Sequence, residues 1–273
     1  MLAIAEYGAA AGAPVVVLHG LPGSRRQRHP DDDIARALGA RMLHFDRPGF
    51  GRSSPAPGRT ILQVARDVDY LCRELALSKI RVAGVSAGTP YALACAAFLG
   101  ERVVKTAIVN GVGPPGTMTG AQFRMRNRLG FLLARRAPGL LRPFAWGMGS
   151  LARSRPERYL AMVAGSLGES DRRALEDASV RAMFAEDLAE AFAQSSGAFV
   201  RDLALIAGDW GFDLGTVRAP LRLWHGDDDQ AIPPSGAHAI AARVRGAELT
   251  LLRGRGHFLV FERWREILAW LLE

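Results

Sequence analysis

The chain has 273 residues, of which 49% are hydrophobic and 23% are charged, and this balance is typical of a soluble globular protein. No apolar run reaches the roughly 18 residues of a membrane span, and Glu6 interrupts an N-terminal segment that lacks the basic region of a signal peptide. The net charge of +8 comes almost wholly from arginine, since Lys79 and Lys105 are the only lysines, and we expect a cytoplasmic protein without stable membrane insertion.

Short apolar segments rich in Val, Ile and Leu recur along the chain and predict the strands of a sheet that is buried on both faces. The predicted strands are residues 15–18, 41–45, 80–85, 103–109, 221–224 and 248–252, with an outer strand at 2–7. Helical patterns separate them at residues 34–38, 60–75, 87–99, 235–244 and 264–272. Strands that alternate with helices predict an α/β fold with a mostly parallel, doubly wound sheet.

This alternation stops in the middle of the chain, where only helical patterns occur. The predicted helices of this segment are residues 122–136, 139–151, 156–164, 170–178, 180–195 and 197–206. An insertion that follows the carboxyl end of a strand lies over the crevice where α/β sheets bind ligands. We therefore expect a core formed by residues 1–112 and 214–273 and a helical cap formed by residues 113–213.

A serine follows the predicted strand at 80–85 in the sequence GVSAG (residues 84–88), which matches the G-x-S-x-G nucleophile elbow. A serine on such a sharp turn has a strained backbone, and small neighbours such as Gly84 and Gly88 let the chain pass close to itself. The next helix points its unpaired N–H groups, including that of Ala87, at the serine. Because a glycine turn can contain a serine by chance, the assignment of Ser86 as nucleophile depends on the other motifs.

The loop after the strand at 15–18 has the sequence HGLPGS (residues 19–24) and offers a second set of backbone donors. We expect the N–H groups of Leu21 and Ala87 to form an oxyanion hole, one from each loop. A simple Pro-Gly turn is the alternative interpretation. His19 is expected to brace this loop, and Asp46, with glycines and a proline around it, to brace its own turn.

The other two chemical groups lie near the C-terminus. Of the six histidines, only His257 follows a late strand in a glycine-rich loop, and an imidazole there is suited to accept the proton of a serine hydroxyl. Three consecutive aspartates at 227–229 follow the strand at 221–224, and one of them is expected to orient the imidazole. Spacing alone leaves the choice among the three open. Asn110, at another strand end, is an amide and does not compete as the acid.

Five motifs occur in an order that resembles the α/β hydrolase family, in its serine-hydrolase type with a helical cap: HGLPGS, DRPGFGRSS, GVSAGTPY, HGDDDQAIPP and GRGHF. The resemblance extends over nearly the whole chain and implies a catalytic triad of Ser86, Asp229 and His257. Asp229 is selected by the family pattern HG-x-x-D-x-x-x-P, in which His225 provides the first residue and Pro233 the last.

Differences from other members of the same fold narrow the expected activity. Haloalkane dehalogenases and epoxide hydrolases need an aspartate where this chain has Ser86. Proline iminopeptidases usually have a tryptophan at the position of Ala87, and cofactor-free haloperoxidases commonly have an aromatic residue at the position of Leu21. These departures disfavour a peptidase and a haloperoxidase.

The resemblance implies a serine hydrolase that acts on small, mostly uncharged esters or related acyl compounds, with no metal and no organic cofactor. A lyase or a carbon–carbon bond hydrolase with the same triad is the alternative, followed by an aminopeptidase and by a non-catalytic ligand-binding protein. The expected partner is a small-molecule substrate. Nucleic acid is not expected because the basic residues form no recognisable reading element, and the sequence leaves a homo-oligomer open.

The cap sequence carries an unusual charge. Between residues 121 and 158 there are nine arginines and one acid, Glu157. Arg124, Arg128 and Arg135 share one helical face, which indicates either a solvated surface or a surface that attracts an anionic substrate or a membrane. The sequence leaves both interpretations open.

Large apolar side chains in the cap are expected to line a substrate pocket above Ser86 as well as to pack the cap. They are Phe123, Phe131, Trp146, Met162, Phe184 and Phe199. We assign Phe123 and Trp146 to the pocket, together with Asn110 of the core, and expect uncharged or weakly polar substrates.

Overall fold

Seven strands form one sheet among residues 1–120, 123–165 and 167–273, which are the residues that the computed structural model describes. The strands are β1 (Ile4–Gly8), β2 (Ala13–Leu18), β3 (Ala40–Phe45), β4 (Ile80–Val85), β5 (Val103–Val109), β6 (Leu221–Gly226) and β7 (Glu248–Leu252). Their order is β1-β3-β2-β4-β5-β6-β7, and only the β1–β3 pair is antiparallel. The predicted mostly parallel α/β sheet is confirmed, with β1 as its outer strand.

Helices cover both faces of this sheet. Those of the core are α1 (Asp33–Ala37), α2 (Ile61–Glu74), α3 (Thr89–Phe98), α10 (Ser235–Ala241) and α11 (Leu259–Leu272). Val16 and Leu18 of β2 belong to the cluster that contains α2, α3 and α10, whereas Val15 and Val17 belong to the cluster that contains α1 and α11. Because successive side chains of a strand point to opposite faces, a continuous apolar strand is buried by helices on both sides.

Between β5 and β6 the described residues contain helices and turns but no strand. The helices are α4 (Met125–Arg136), α5 (Arg142–Ser154), α6 (Pro156–Ala164), α7 (Glu169–Ala174), α8 (Ala178–Ala191) and α9 (Gly197–Ala207). We call residues 113–213 the cap segment. Most of its helices share a hydrophobic cluster of their own, to which the core contributes Phe50.

Several helices of the cap segment differ in extent from the sequence prediction, among them the helix predicted at 170–178, which ends at Ala174, and that predicted at 180–195, which ends at Ala191. The helix predicted at 122–136 begins at Met125, and Gln122 lies outside the described residues. The helix predicted at 139–151 is divided into a 3₁₀ turn, Pro138–Leu141, and α5. Pro143 explains the division, because proline has no N–H to donate and is best accommodated in the first turn of a new helix.

A buried ion triad joins the cap segment to the core. Asp202 of α9 accepts hydrogen bonds from Arg47 Nε at 2.7 Å and from Arg59, and all three side chains are almost completely buried. Arg47 also donates to the backbone carbonyls of His19 and Gly20. The triad therefore ties helix α9 to the loop that follows β2.

A second polar joint lies beside the first. Both Ser24 N and Ser24 Oγ donate to Asp187 Oδ1 of α8 at 2.7 Å, and Gln27 Nε2 donates to Asp187 Oδ2 at 2.9 Å. Gln27 Oε1 in turn accepts the N–H of Gly20 at 2.5 Å. Burial raises the pKa of Asp187 to about 7 despite these hydrogen bonds. The conformation of the loop after β2 thus depends on both the core and the cap segment.

None of the helices in the described ranges has both the length and the apolar character needed to cross a bilayer.

Candidate active site

Ser86 lies where strand β4 turns into a helix, and its backbone is strained. Its φ of 53° is in the left-handed region, which side chains other than glycine rarely adopt. A Cβ at Gly88 would overlap the carbonyl oxygen of Leu18, and a Cβ at Gly84 would lie 2.7 Å from Cβ of Ala92. These contacts explain why the turn needs glycine on both sides of the serine.

His257 and Asp229 complete a chain of hydrogen bonds that starts at Ser86. The His257 Nε2–Ser86 Oγ distance is 2.9 Å, and the His257 Nδ1–Asp229 Oδ2 distance is 2.7 Å. His257 lies between β7 and α11, so its loop brings the imidazole over the carboxyl ends of the strands. With Nδ1–H donating to Asp229, the free Nε2 lone pair faces the serine hydroxyl.

The surroundings of Asp229 and His257 shift the pKa values of the two groups in opposite directions. Burial opposes ionisation of Asp229, but the charge and hydrogen bond of His257 outweigh it and hold the pKa of this carboxyl below its ordinary value. Burial would also lower the pKa of His257, but the Asp229 charge and hydrogen bond, together with Asp171, raise it above 6.5. An imidazole with this bias is a stronger proton acceptor than a free histidine, which suits a general base.

The three consecutive aspartates have different environments. Asp229 is fully buried, and its Oδ1 accepts the N–H groups of Ala231 and Ile232 at 2.8 and 2.9 Å. Asp227 is exposed, and its carboxylate accepts the N–H of Gly254 at 2.7 Å. Asp228 has no hydrogen bond to the imidazole. The structure therefore places Asp229, and neither of its neighbours, against His257.

The loop after β2 approaches Ser86, because a Cβ at Gly20 would lie 3.5 Å from Cβ of Ser86, and Leu21 lines the same cavity as Ser86. Ala87 is the second residue of the short 3₁₀ helix Ser86–Gly88, and an N–H in a first turn has no partner within its helix. The anchoring of the His19 and Gly20 carbonyls by Arg47 fixes the peptides that precede Leu21. The oxyanion hole formed by the N–H groups of Leu21 and Ala87 stays a prediction.

The sequence predicts that His19 and Asp46 stabilise their loops, and both side chains contact backbone groups of these loops. His19 is buried, its Nδ1 lies 2.9 Å from the Gly20 carbonyl, and burial followed by the charge of Arg47 holds its pKa well below 6.5. Asp46 accepts the N–H groups of Arg25 and Arg52 at 2.6 and 2.9 Å, so it connects two loops.

Asn110 does not line the pocket, contrary to the sequence prediction. It is fully buried, has a φ of 47°, and its Nδ2 donates to Asp229 Oδ2 at 2.8 Å and to the Gly256 carbonyl at 2.6 Å. Its backbone N–H pairs with Trp224 of the neighbouring strand β6. From the end of β5 the Asn110 side chain thus contacts the His257 loop and Asp229, and it positions the Asp229 carboxylate.

A cavity of about 360 Å³ extends from Ser86 and His257 between the core and the cap segment. Its walls are mostly apolar, and some of its lining residues from the cap segment are Phe131, Tyr159, Leu160, Val163, Phe184 and Leu188. Its polar lining residues, besides Ser86 and His257, include Gln27, Arg28, His29 and His44 from the core, Arg126 and Asn127 from α4, and Gln230. A mostly apolar cavity with a few polar groups is typical of a small-molecule site.

Phe123 and Trp146 are not part of this wall, and their assignment to the pocket is wrong. Phe123 is buried behind Phe131, whose ring it contacts edge-on at 5.8 Å, and only Phe131 lines the cavity. Trp146 is 68% exposed on the outer surface of α5. Helical periodicity separates apolar from polar positions, but it does not tell which apolar positions face a cavity and which remain in solvent.

Asp171 is a site residue that the sequence analysis missed. This buried carboxylate of α7 accepts the N–H of Phe258 at 2.7 Å, and it packs so closely on Gly256 that a Cβ there would overlap it. Its Oδ2 is buried without a hydrogen-bond partner among the described residues. Burial raises the pKa of Asp171, and its charge contributes to the raised pKa of His257. Nothing in the sequence around Asp171 marks it, because the contact depends on how the cap segment packs.

Comparison with known proteins agrees with this architecture. A family model described as alpha/beta hydrolase fold matches residues 13–263. The uncharacterized hydrolase YcgS of Bacillus subtilis (strain 168) is 24% identical over 256 residues, which cover 91% of this chain and 86% of that protein. Among solved structures, a bromoperoxidase from Bacillus anthracis has a TM-score of 0.74 at 21% identity and covers 99% of this chain and 95% of its own. The enol-lactonase from Burkholderia xenovorans LB400 has a TM-score of 0.73 at 20% identity, covering 99% and 96%.

Proposed function

The chain belongs to the alpha/beta hydrolase family, and from this premise we propose that it is a serine hydrolase of small, mostly uncharged esters or related acyl compounds. The observation that carries the proposal is the continuous hydrogen-bonded series Ser86 Oγ–His257 Nε2–His257 Nδ1–Asp229 Oδ2, with distances of 2.9 and 2.7 Å. This is the arrangement that activates a serine for attack on a carbonyl.

In the first half of the proposed reaction, Ser86 Oγ forms a bond to the carbonyl carbon of the ester while its proton passes to His257 Nε2. The carbonyl oxygen becomes an oxyanion and accepts hydrogen bonds from the N–H groups of Leu21 and Ala87, each contributing about 3–4 kcal/mol to the transition state. His257 then gives its proton to the departing alcohol oxygen as the carbon–oxygen bond breaks. An acyl group remains on Ser86.

In the second half, His257 takes a proton from water, and the resulting hydroxide attacks the acyl carbon. Collapse of the second oxyanion breaks the bond to Ser86 Oγ, which recovers its proton from His257 and releases the carboxylic acid. Asp229 stays ionised in both halves and stabilises the imidazolium that forms twice. No step uses a cofactor.

The cavity supports the substrate class of the proposal. Its wall is mostly apolar and its volume of about 360 Å³ is suited to a compact acyl or alcohol group. His44, a histidine on this wall, is kept uncharged because burial lowers its pKa to about 3. The lining residues that the structure describes include no carboxylate, so a cationic substrate group would have no counter-charge to offset its desolvation.

A panel of p-nitrophenyl esters of increasing acyl length, with analysis of the products, tests the proposal. We expect the native protein to release the carboxylic acid and p-nitrophenol with a preference for short to medium chains, and the Ser86→Ala variant to lose this turnover while keeping its thermal unfolding temperature. Product analysis with further substrates separates this activity from that of a lyase or a carbon–carbon bond hydrolase with the same triad, since neither forms an acid and an alcohol from its own substrate. Absence of turnover across the panel, or equal turnover by Ser86→Ala, contradicts the proposal.

A further inference from the structure

The outer surface of the cap segment carries a concentration of exposed large apolar side chains. Seven of the twelve such residues in the described part of the chain lie there, and we call them the cap patch: Met125, Leu129, Leu132, Leu140, Phe144, Trp146 and Met162. Each is about half exposed or more. Scattered single residues of this kind are common on protein surfaces, but a group confined to one segment marks an interaction surface.

The helices and the turn that carry the cap patch pack on one another in the fold. Met125, Leu129 and Leu132 are spaced i, i+4 and i+7 along α4, which places them on one helical face. Leu140 lies in the 3₁₀ turn that packs on both α4 and α5, and Met162 lies on α6, which packs on α5. The patch is thus spread over three consecutive helices and their connecting turn.

The charges around the patch are of one sign. Glu157, the one acid between residues 121 and 158, is paired with Arg181. Six of the nine arginines are exposed and make no side-chain hydrogen bond or ion pair within residues 1–120, 123–165 and 167–273: Arg126, Arg135, Arg136, Arg142, Arg155 and Arg158. An apolar surface bordered by unpaired arginines combines the two features of helices that bind the interface of an anionic membrane.

We propose that the cap patch docks the protein on the surface of a bilayer that contains anionic lipids. The apolar side chains enter the boundary between headgroups and acyl chains, while the arginines contact the phosphates. A second copy of this chain is a poorer occupant, because a symmetric contact would bring the same unpaired arginines of two copies together. The association is peripheral, since the helices lie on the surface and do not span it.

The position of α4 connects this surface to the cavity. Arg126, Asn127 and Phe131 of this helix line the cavity, while Met125, Leu129 and Leu132 belong to the cap patch. Docking through the patch therefore places against the lipid a helix whose opposite face forms part of the cavity wall.

Co-sedimentation with vesicles tests the docking without using catalysis, so its outcome is independent of the proposed hydrolase activity. We expect binding to vesicles of phosphatidylcholine mixed with phosphatidylglycerol, little binding to phosphatidylcholine alone, and loss of binding at high salt. Each arginine near the surface contributes about fivefold, so the triple variant Arg126→Gln, Arg135→Gln, Arg136→Gln should bind about 100-fold more weakly. A matched control with the same change of charge on the exposed core residues, Arg218→Gln, Arg243→Gln, Arg245→Gln, should bind as the native protein does.

Tryptophan fluorescence provides a second measurement that is confined to the patch. Trp146 should shift its emission to shorter wavelength on anionic vesicles, and Trp146→Phe should abolish that shift. Replacing Leu129 and Leu132 by glutamine should weaken vesicle binding while leaving the thermal unfolding temperature unchanged. The proposal is overturned if anionic and neutral vesicles bind alike or not at all, or if the leucine variant instead abolishes a dimer seen by light scattering in the absence of lipid.

Discussion

Four buried or half-buried histidines of this chain differ in the direction in which their surroundings shift the pKa. This difference separates the proposed general base from the three histidines with structural roles. Burial lowers the pKa of His19, His44 and His225, so these rings are neutral and act through hydrogen bonds and packing. His257 alone among them has a raised pKa, because the charge and hydrogen bond of Asp229 outweigh its burial. Asp229 also lies 3.6 Å from His225 Nε2, but its Oδ2 forms a hydrogen bond with His257 at 2.7 Å, and this bond decides which histidine can accept a proton and stabilise the resulting charge.

Replacement of Asp229 by asparagine tests the residue that sets this difference. The amide cannot stabilise the imidazolium and favours the wrong tautomer of His257, so we expect kcat for a p-nitrophenyl ester to fall about 10⁴-fold. Asp228→Asn is the matched control and should change kcat less than severalfold, because this carboxylate does not touch the imidazole. If Asp227→Asn is inactive and folded while Asp229→Asn is active, the acid of the triad is Asp227 and the assignment of Asp229 is wrong.

At the scale of the elements, helix α7 acts on the base from the cap segment. His257 must be neutral to accept the serine proton, so kcat/KM should fall as the pH drops through its raised pKa, above 6.5. Asp171→Asn removes a nearby negative charge that favours the imidazolium, and the acidic limb of the kcat/KM profile should therefore move to lower pH. The pH–rate profile of the variant measures this shift directly.

The control for this prediction is Glu176→Gln, which removes one exposed negative charge from the same part of the chain. Its acidic limb should coincide with that of the native protein. If Asp171→Asn lowers kcat or the unfolding temperature and leaves the limb in place, Asp171 has only a structural role.

The joint between α9 and the core should dominate the stability of the cap segment. Asp202→Asn leaves Arg47 and Arg59 buried without a counter-charge, and breaking a buried pair in this way costs about 3–5 kcal/mol of unfolding free energy. Urea unfolding measures the loss. Glu186→Gln, in a mostly exposed pair with Arg26, should change the same free energy by less than about 1 kcal/mol. Equal effects of the two substitutions would mean that the joint does not hold the cap.

At the scale of the whole molecule, local sequence patterns predict the strands and the turns that follow them. They do not predict the contacts that depend on how the cap segment packs on the core. The strands at 80–85, 103–109 and 248–252 have the predicted bounds, because each run rich in Val, Ile or Leu ends at a polar residue. The positions of Ser86 and His257 follow, since both lie in glycine-rich turns at strand ends. The order of the motifs along the chain therefore predicts that three distant residues meet at one edge of the sheet.

The cap segment is different because no local pattern tells which face of its helices meets the core. Trp146 and Phe131 are both aromatic residues in amphipathic helices, yet one is exposed and the other lines the cavity. Asp171 lies in a short helix of charged residues and only its packing on Gly256 brings it to the His257 loop. The sequence predicts Asn110 in the pocket, whereas its side chain donates a hydrogen bond to Asp229.

The central claim is that Ser86 is the nucleophile, and covalent labelling tests it most directly. A fluorophosphonate probe should add one label per molecule, and mass spectrometry of the digested protein should place it on the peptide that contains Ser86. His257→Ala should slow the labelling, and Ser86→Ala should abolish it without loss of folded structure. Stoichiometric labelling of Ser86→Ala, or a label on another residue of the native protein, would contradict the account.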